Sequence, residues 1–176
     1  MMKLTTISSF VMPFDCLLAI VIGASRGLRN DEERHAALVA LAAEFRVPVI
    51  LISADSSASR GPIHSGQELS LLTSTVADPL ADDAVLRAVN HHNRRKMILS
   101  GRDSEGAVTF MALSALARGF DVYVVEDVCR SLSDHVHRIA MQRLAQAGAV
   151  LMTAVQLRTE WSAFNDPLPT ARPASI

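Results

Sequence analysis

The sequence predicts an α/β fold, a three-layer arrangement in which a mostly parallel sheet is flanked by helices. Three observations carry that expectation. Short, continuously apolar runs recur along the 176 residues, as strands covered on both faces require. Alanine- and leucine-rich segments of helical length separate them. Glycines or polar turns stand where an apolar run hands over to the next helix. Alternation at this spacing builds right-handed βαβ crossovers. Sheets of this kind hold ligands at the carboxyl ends of their strands, which directs attention to Gly23, Ser53–Asp55, Gly101–Gly106 and Glu126–Cys129.

Each element has its own local reason. Cys16–Ile22 (CLLAIVI) reads as a buried first strand ending at Gly23. Asp31–Phe45 reads as a helix with Asn30 or Asp31 as its cap and acids in the first turn. Val47–Ser53 is a second buried strand, with Pro48 tolerated near its start. Residues 54–79, crowded with serine, glycine and proline, read as one long loop, a feature more often functional than accidental in a compact domain. Asp82–Asn93 is a helix and Lys96–Ser100 a third strand. Ser104–Arg118 is a tightly buried helix, with Ser104 as its cap and Gly119 as its end. Asp121–Val125 is a fourth strand. Ser133–Ala147 is a helix capped by Ser133 and stopped by Gly148, and Ala149–Met152 begins a fifth strand. A last helix covers Val155–Phe164, and the tail from Pro167 has little to pack against. The reading is one domain with its core at about 16–166 and a tail at 167–176.

Composition narrows the function classes. At 49% hydrophobic and a mean hydropathy of +0.24, the chain is rich in apolar residues, and subunit interfaces are the expected destination of the excess. The C-terminal helix around Trp161 and Phe164 is the candidate interface. A net charge of −1, with no basic stripe, gives no electrostatic case for nucleic acid. Lys3 opens a largely apolar stretch, but Pro13 and Asp15 interrupt it, so it reads as a ragged start before a buried strand rather than a signal peptide. No run reaches the roughly 18–20 apolar residues a membrane span needs. Cys16 and Cys129 lack metal-ligand spacing and suit a reducing cytoplasm. No cofactor and no metal are expected.

Val21–Leu28 (VIGASRGL) imitates the opening turn of short-chain dehydrogenases, where glycines let the backbone approach a pyrophosphate. The expected final glycine is Arg29, however. The one tyrosine, Tyr123, has Asp127 where a catalytic lysine belongs. A plain glycine turn accounts for the segment better than a nucleotide-binding module at Gly23–Gly27.

The segment KMILSGRDSEGAVTFMALSALARGFDVYVVEDV, from Lys96 to Val128, resembles the isochorismatase-like cysteine hydrolases. It shows their apolar strand and glycine, a Thr-Glu-like pair at Ser104-Glu105, an Ala-Leu-Ser-Ala-Leu helix and a Gly-x-x-Val-x-Val-Val-x-Asp strand. The likeness continues through His137, Arg143-Leu144, Gly148 and Leu151–Thr153, and covers roughly residues 16–166. It implies a Rossmann-like architecture and hydrolysis of amides or related bonds by an aspartate base, a lysine and a cysteine. The cysteine would open the helix after the third strand, where the helix dipole favours a thiolate. This chain departs from that pattern at every point. The aspartate position falls at Gly23, or at Val21 by a different count, the lysine at about Thr73 and the cysteine at Ala107. A methyl group attacks nothing.

Other residues could substitute for the missing groups. Ser104 sits at a strand-to-helix turn, where nucleophiles sit on such folds, but Arg102 spoils a G-x-S-x-G elbow and capping is the commoner role. Asp103 and Arg102 form either a polar rim or a surface ion pair. A cis peptide, where retained from the family, would lie between Arg102 and Ser104. Cys129 is a conceivable relocated thiol, although a buried inert cysteine is the commoner case. His64, in the long loop, is the histidine to watch. His91 and His92 face water, and His135 and His137 diverge on their helix. The expectation is a non-catalytic member acting as a binding or scaffold subunit, with further copies of the chain and a small-molecule ligand near Ala107 as its partners. The alternative is a hydrolase of a small amide, ester or vinyl ether using Ser104 or Cys129.

Overall fold

The computed structural model describes residues 10–22, 29–54 and 69–165. Among these residues six strands form one sheet: β1 Cys16–Ile22, β2 Val49–Ser53, β3 Leu69–Thr73, β4 Lys96–Gly101, β5 Asp121–Val125 and β6 Val150–Met152. Their order is β3-β2-β1-β4-β5-β6, and each neighbouring pair is parallel. The chain builds outward from β1 to β3, then returns to lay β4 against the other side of β1. The strand order therefore reverses between β1 and β4.

β3 corrects the expectation of an unbroken loop over 54–79. It pairs Leu69–Thr73 with Val49–Ser53 at the sheet edge, where its side chains are only partly buried or exposed. An edge strand needs less apolar surface than a central one, so LSLLT carries a weak signal beside a serine-rich stretch.

Among the described residues, five α-helices cover the sheet: α1 Arg29–Glu44, α2 Asp83–His91, α3 Thr109–Ala117, α4 Asp134–Ala147 and α5 Ala154–Asn165. α1 starts before both of its expected cap residues. α2 and α4 are capped as their sequences require, with the Asp82 carboxylate accepting from the Ala84 amide and Ser133 Oγ from the Val136 amide. Gly148, at φ 104°, ends α4 in the left-handed conformation that glycine tolerates best.

The alternation of β1 sorts the layers. Leu17, Ala19 and Val21 pack with Val85, Met111, Ala112, Met141 and Leu144 of α2, α3 and α4. Cys16, Leu18 and Ile20 pack with Leu38 and Leu41 of α1 and Leu157 and Trp161 of α5. Trp161 is thus a core residue, fully buried, with its ring centroid 5.7 Å from that of Phe45. This overturns its assignment to an interface, because α5 turns its aromatic side onto its own sheet. Phe164 is partly buried and stacks at 5.2 Å on Phe10.

Candidate functional site

The carboxyl ends of β1 and β4 meet at an unusually close backbone contact. A Cβ on Gly101 would lie 2.2 Å from the Val21 carbonyl oxygen, so only glycine fits. The Arg102 amide donates to that same Val21 oxygen at 2.9 Å, and the Arg130 amide donates to the Gly101 oxygen at 3.0 Å. Arg102 and Arg130 form an isolated parallel bridge beyond the ends of β4 and β5. The chain then enters a wide, π-type turn, Ser104–Val108, broken at Gly106 (φ −105°, ψ −105°), before α3 begins.

Asp103 organises this turn. It holds left-handed dihedrals (φ 65°, ψ 61°), and its carboxylate accepts the Ala107 amide at 3.1 Å. Its carbonyl accepts the amides of Gly106 and Val108 at 3.1 and 3.3 Å. A side chain on Gly106 would displace the carboxylate, because an added Cβ would lie 2.1 Å from Asp103 Oδ2. Asp103, not Ser104, is therefore the cap. No peptide bond among the described residues is cis. Arg102 approaches Glu32 of α1 at 4.0 Å.

Ser104 is fully buried. Its hydroxyl donates to the Arg130 carbonyl at 2.7 Å and lies 3.1 Å from His137 Nδ1. With the hydroxyl proton spent on Arg130, the imidazole Nδ1–H is the donor in the second contact. His137 Nε2 faces Glu126 Oε1 at 3.9 Å. The neighbouring Glu105 accepts from the Ser131 hydroxyl, and from the Leu132 amide at 3.4 Å. Burial works against the Glu105 charge, but these hydrogen bonds outweigh it and hold the carboxyl below its usual value. His137 was not singled out from sequence as a partner for Ser104. Only the packing of α4 against the 104–108 turn reveals it, and no local pattern announces that contact.

Cys129 is buried in the core, where desolvation pushes its thiol up to about 12. Thr73 ends β3 and is exposed. It shares the carboxyl edge of the sheet but stands three strands from β4, roughly 14 Å away at the usual strand spacing. Gly23 follows the last residue of β1 and lies, with His64, outside the described residues. Val21 is in β1 and buried. Among the described residues no three His, Cys, Asp or Glu side chains group to hold a metal. A surface cleft of about 240 Å³ lies at the opposite edge, between Leu116, Phe120, Asp121 and Val150, away from Ala107.

Comparison with known proteins gives one family. The isochorismatase domain matches residues 63–156. A probable hydrolase, YcaC of Escherichia coli K12, is 33% identical over 135 residues, which cover 71% of this chain and 65% of that protein. Isochorismatase domain-containing protein 2 of Xenopus laevis is 37% identical over 60 residues, covering 34% of this chain and 29% of its own length. The chain thus spans less than two thirds of these relatives. Among solved structures, YcaC from Pseudomonas aeruginosa superposes with a TM-score of 0.74 at 22% identity, covering 89% of this chain and 84% of that one. The Escherichia coli YcaC gene product, described as an octameric hydrolase of unknown specificity, gives 0.75 at 24% identity, covering 88% and 83%. At these identities the two structures establish the shared fold.

Proposed function

Because this chain belongs to the isochorismatase family, we propose that it is a hydrolase-fold protein whose family site binds without cutting and serves as a binding or scaffold subunit of a homo-oligomer. The observation that carries this reading is the bond from the Ala107 amide to Asp103. A free amide at a helix start is what would steady a thiolate or a developing oxyanion. Here the position carries a methyl group, and its N–H is already spent on a carboxylate of the same chain. The octameric state of the Escherichia coli YcaC gene product supports self-association. So do large apolar side chains left at the surface, such as Leu132 at 88% and Val155 at 73% exposure. No helix among the described residues is long and apolar enough to cross a membrane. The free thiols of Cys16 and Cys129 suit a cytoplasmic setting.

A second reading, hydrolysis with Ser104 as nucleophile, draws support from His137 at 3.1 Å and Glu126 beyond it. Against it stand the complete burial of Ser104 and the donation of its proton to Arg130. Cys129 offers less, since a thiol held near 12 supplies almost no thiolate at neutral pH. Incubation with nicotinamide, simple amides and esters, and vinyl ethers separates the readings. Rates at the buffer blank support the binding role. Turnover abolished by Ser104→Ala replaces it with the serine hydrolase.

A further inference from the structure

We infer that the surface cleft at the C-terminal ends of α3 and α4 is a binding site for a small organic cation, an ammonium group carried on an apolar body. The site lies away from Ala107, so the inference stands apart from the binding role proposed there. The cleft encloses about 240 Å³, somewhat less than a drug-sized ligand needs.

Two chain reversals of the same form border it. α3 ends at Gly119 (φ 86°) and α4 at Gly148 (φ 104°), and both glycines line the cleft. In the first reversal the Phe120 amide donates to the Ala115 carbonyl and the Gly119 amide to Leu116. In the second the Ala149 amide donates to the Leu144 carbonyl and the Gly148 amide to Ala145. Nothing stands within 4 Å of the place a Cβ would take on either glycine, which leaves both backbones open to a ligand.

Two helices therefore present their C-terminal ends to one cavity. Aligned peptide dipoles give each such end a partial negative charge that a cation relieves. Neither helix carries a basic residue in its last turn. Arg118, which follows α3, turns its guanidinium back to the Ser114 carbonyl and across to the Leu80 carbonyl, and it does not line the cleft.

Asp121, which opens β5 and lines the cleft, adds a full negative charge. Among the described residues its carboxylate has no ion pair and accepts no hydrogen bond. Lys96, its neighbour in the β4–β5 register, is buried and donates to the Phe10 carbonyl. Burial, and after it the charge of Asp121, pushes the Tyr123 phenol up to about 12, as a negative field at this wall of the cleft requires. Leu116, Phe120 and Val150 supply apolar lining for the body of the ligand, and an aromatic face beside an ammonium adds to its attraction. An anion would meet two helix C-termini and a carboxylate, all of the wrong sign.

Amide NMR spectra of the isotope-labelled full chain, titrated at neutral pH with benzylammonium and separately with benzyl alcohol, test the site. Saturable shifts are expected at the amides of Gly119, Asp121 and Gly148, with benzylammonium binding about fivefold more tightly than the neutral alcohol. Asp121→Asn should reduce that preference to about twofold or less. Should Asp121→Asn fail to fold, Val150→Lys, at a position 39% exposed, places a competing ammonium at the cleft and should weaken benzylammonium more than benzyl alcohol. Shifts that do not saturate or fall elsewhere, equal affinity for the two probes in the unmodified chain, or an unchanged preference in a folded variant overturn the inference.

Discussion

The carboxylate of Asp103 accepts the amide of Ala107 at 3.1 Å, so the amide at the position proposed here as equivalent to the family's nucleophile is taken up by a side chain four residues upstream. Asp103 accepts left-handed dihedrals (φ 65°) to make this bond, a conformation Asp tolerates better than most residues. Loss of the cap in Asp103→Ala is expected to cost about 1–2 kcal/mol. Asp103→Asn, which keeps an acceptor and tolerates the same dihedrals, should cost much less. Gly106→Ala should disturb the same bond, since its Cβ would meet Asp103 Oδ2 at 2.1 Å. The two losses should therefore fall short of additivity. Denaturant unfolding of the four variants, including Asp103→Ala/Gly106→Ala, measures this.

Ser104 is expected to act as a brace between the 104–108 turn and α4. Ser104→Ala removes the hydroxyl donor to Arg130 and the acceptor for His137, and should cost about 1 kcal/mol. The Arg130 carbonyl keeps the Ser104 amide at 2.8 Å, which limits the loss. A stability change of that size with no change in any turnover is the signature of a brace.

Trp161→Ala tests the placement of α5. Removing a fully buried indole packed against Phe45 should cost about 3–5 kcal/mol. Light scattering of the protein that remains folded should report the same assembly as the unmodified chain. Dissociation without loss of stability would return Trp161 to an interface.

The thiols give a pH dependence of definite sign. Burial raises Cys16 and Cys129 from 9.0 to about 12, so between those values the unfolded chain has lost protons that the native chain retains. The stabilisation is fully present below pH 9 and fades as pH rises toward 12. Tyr123, raised by burial from 10.0 to about 12, adds to the same alkaline loss. Melting temperatures should fall steadily across that window. At neutral pH neither cysteine should react with a disulfide probe until denaturant is added.

Much of the fold was legible because local chemistry and tertiary context agree. DVYVV became β5 residue for residue, since an apolar run after a glycine has few alternatives. Ser133 and Gly148 bound α4 as their capping chemistry demands. β3 was hidden because an edge strand is stabilised by its ladder to β2 more than by its own composition. The site is a different matter. The family likeness offers Ala107 as an expectation only, and the cap at Asp103 depends on a left-handed residue that no local pattern announces. The Ser104–His137 contact joins residues 33 apart in sequence through packing that no short motif encodes. Arg102 and Arg130 likewise meet only in an isolated bridge beyond the ends of β4 and β5.

The central claim is that the site at Ala107 binds without cutting, and a single-turnover measurement tests it most directly. With the protein in molar excess over nicotinamide, even one slow catalytic event per site would release detectable nicotinic acid and ammonia. The account predicts release no faster than the buffer blank for the unmodified chain and for Ser104→Ala alike. Stoichiometric release by the unmodified chain, absent from Ser104→Ala, would contradict it.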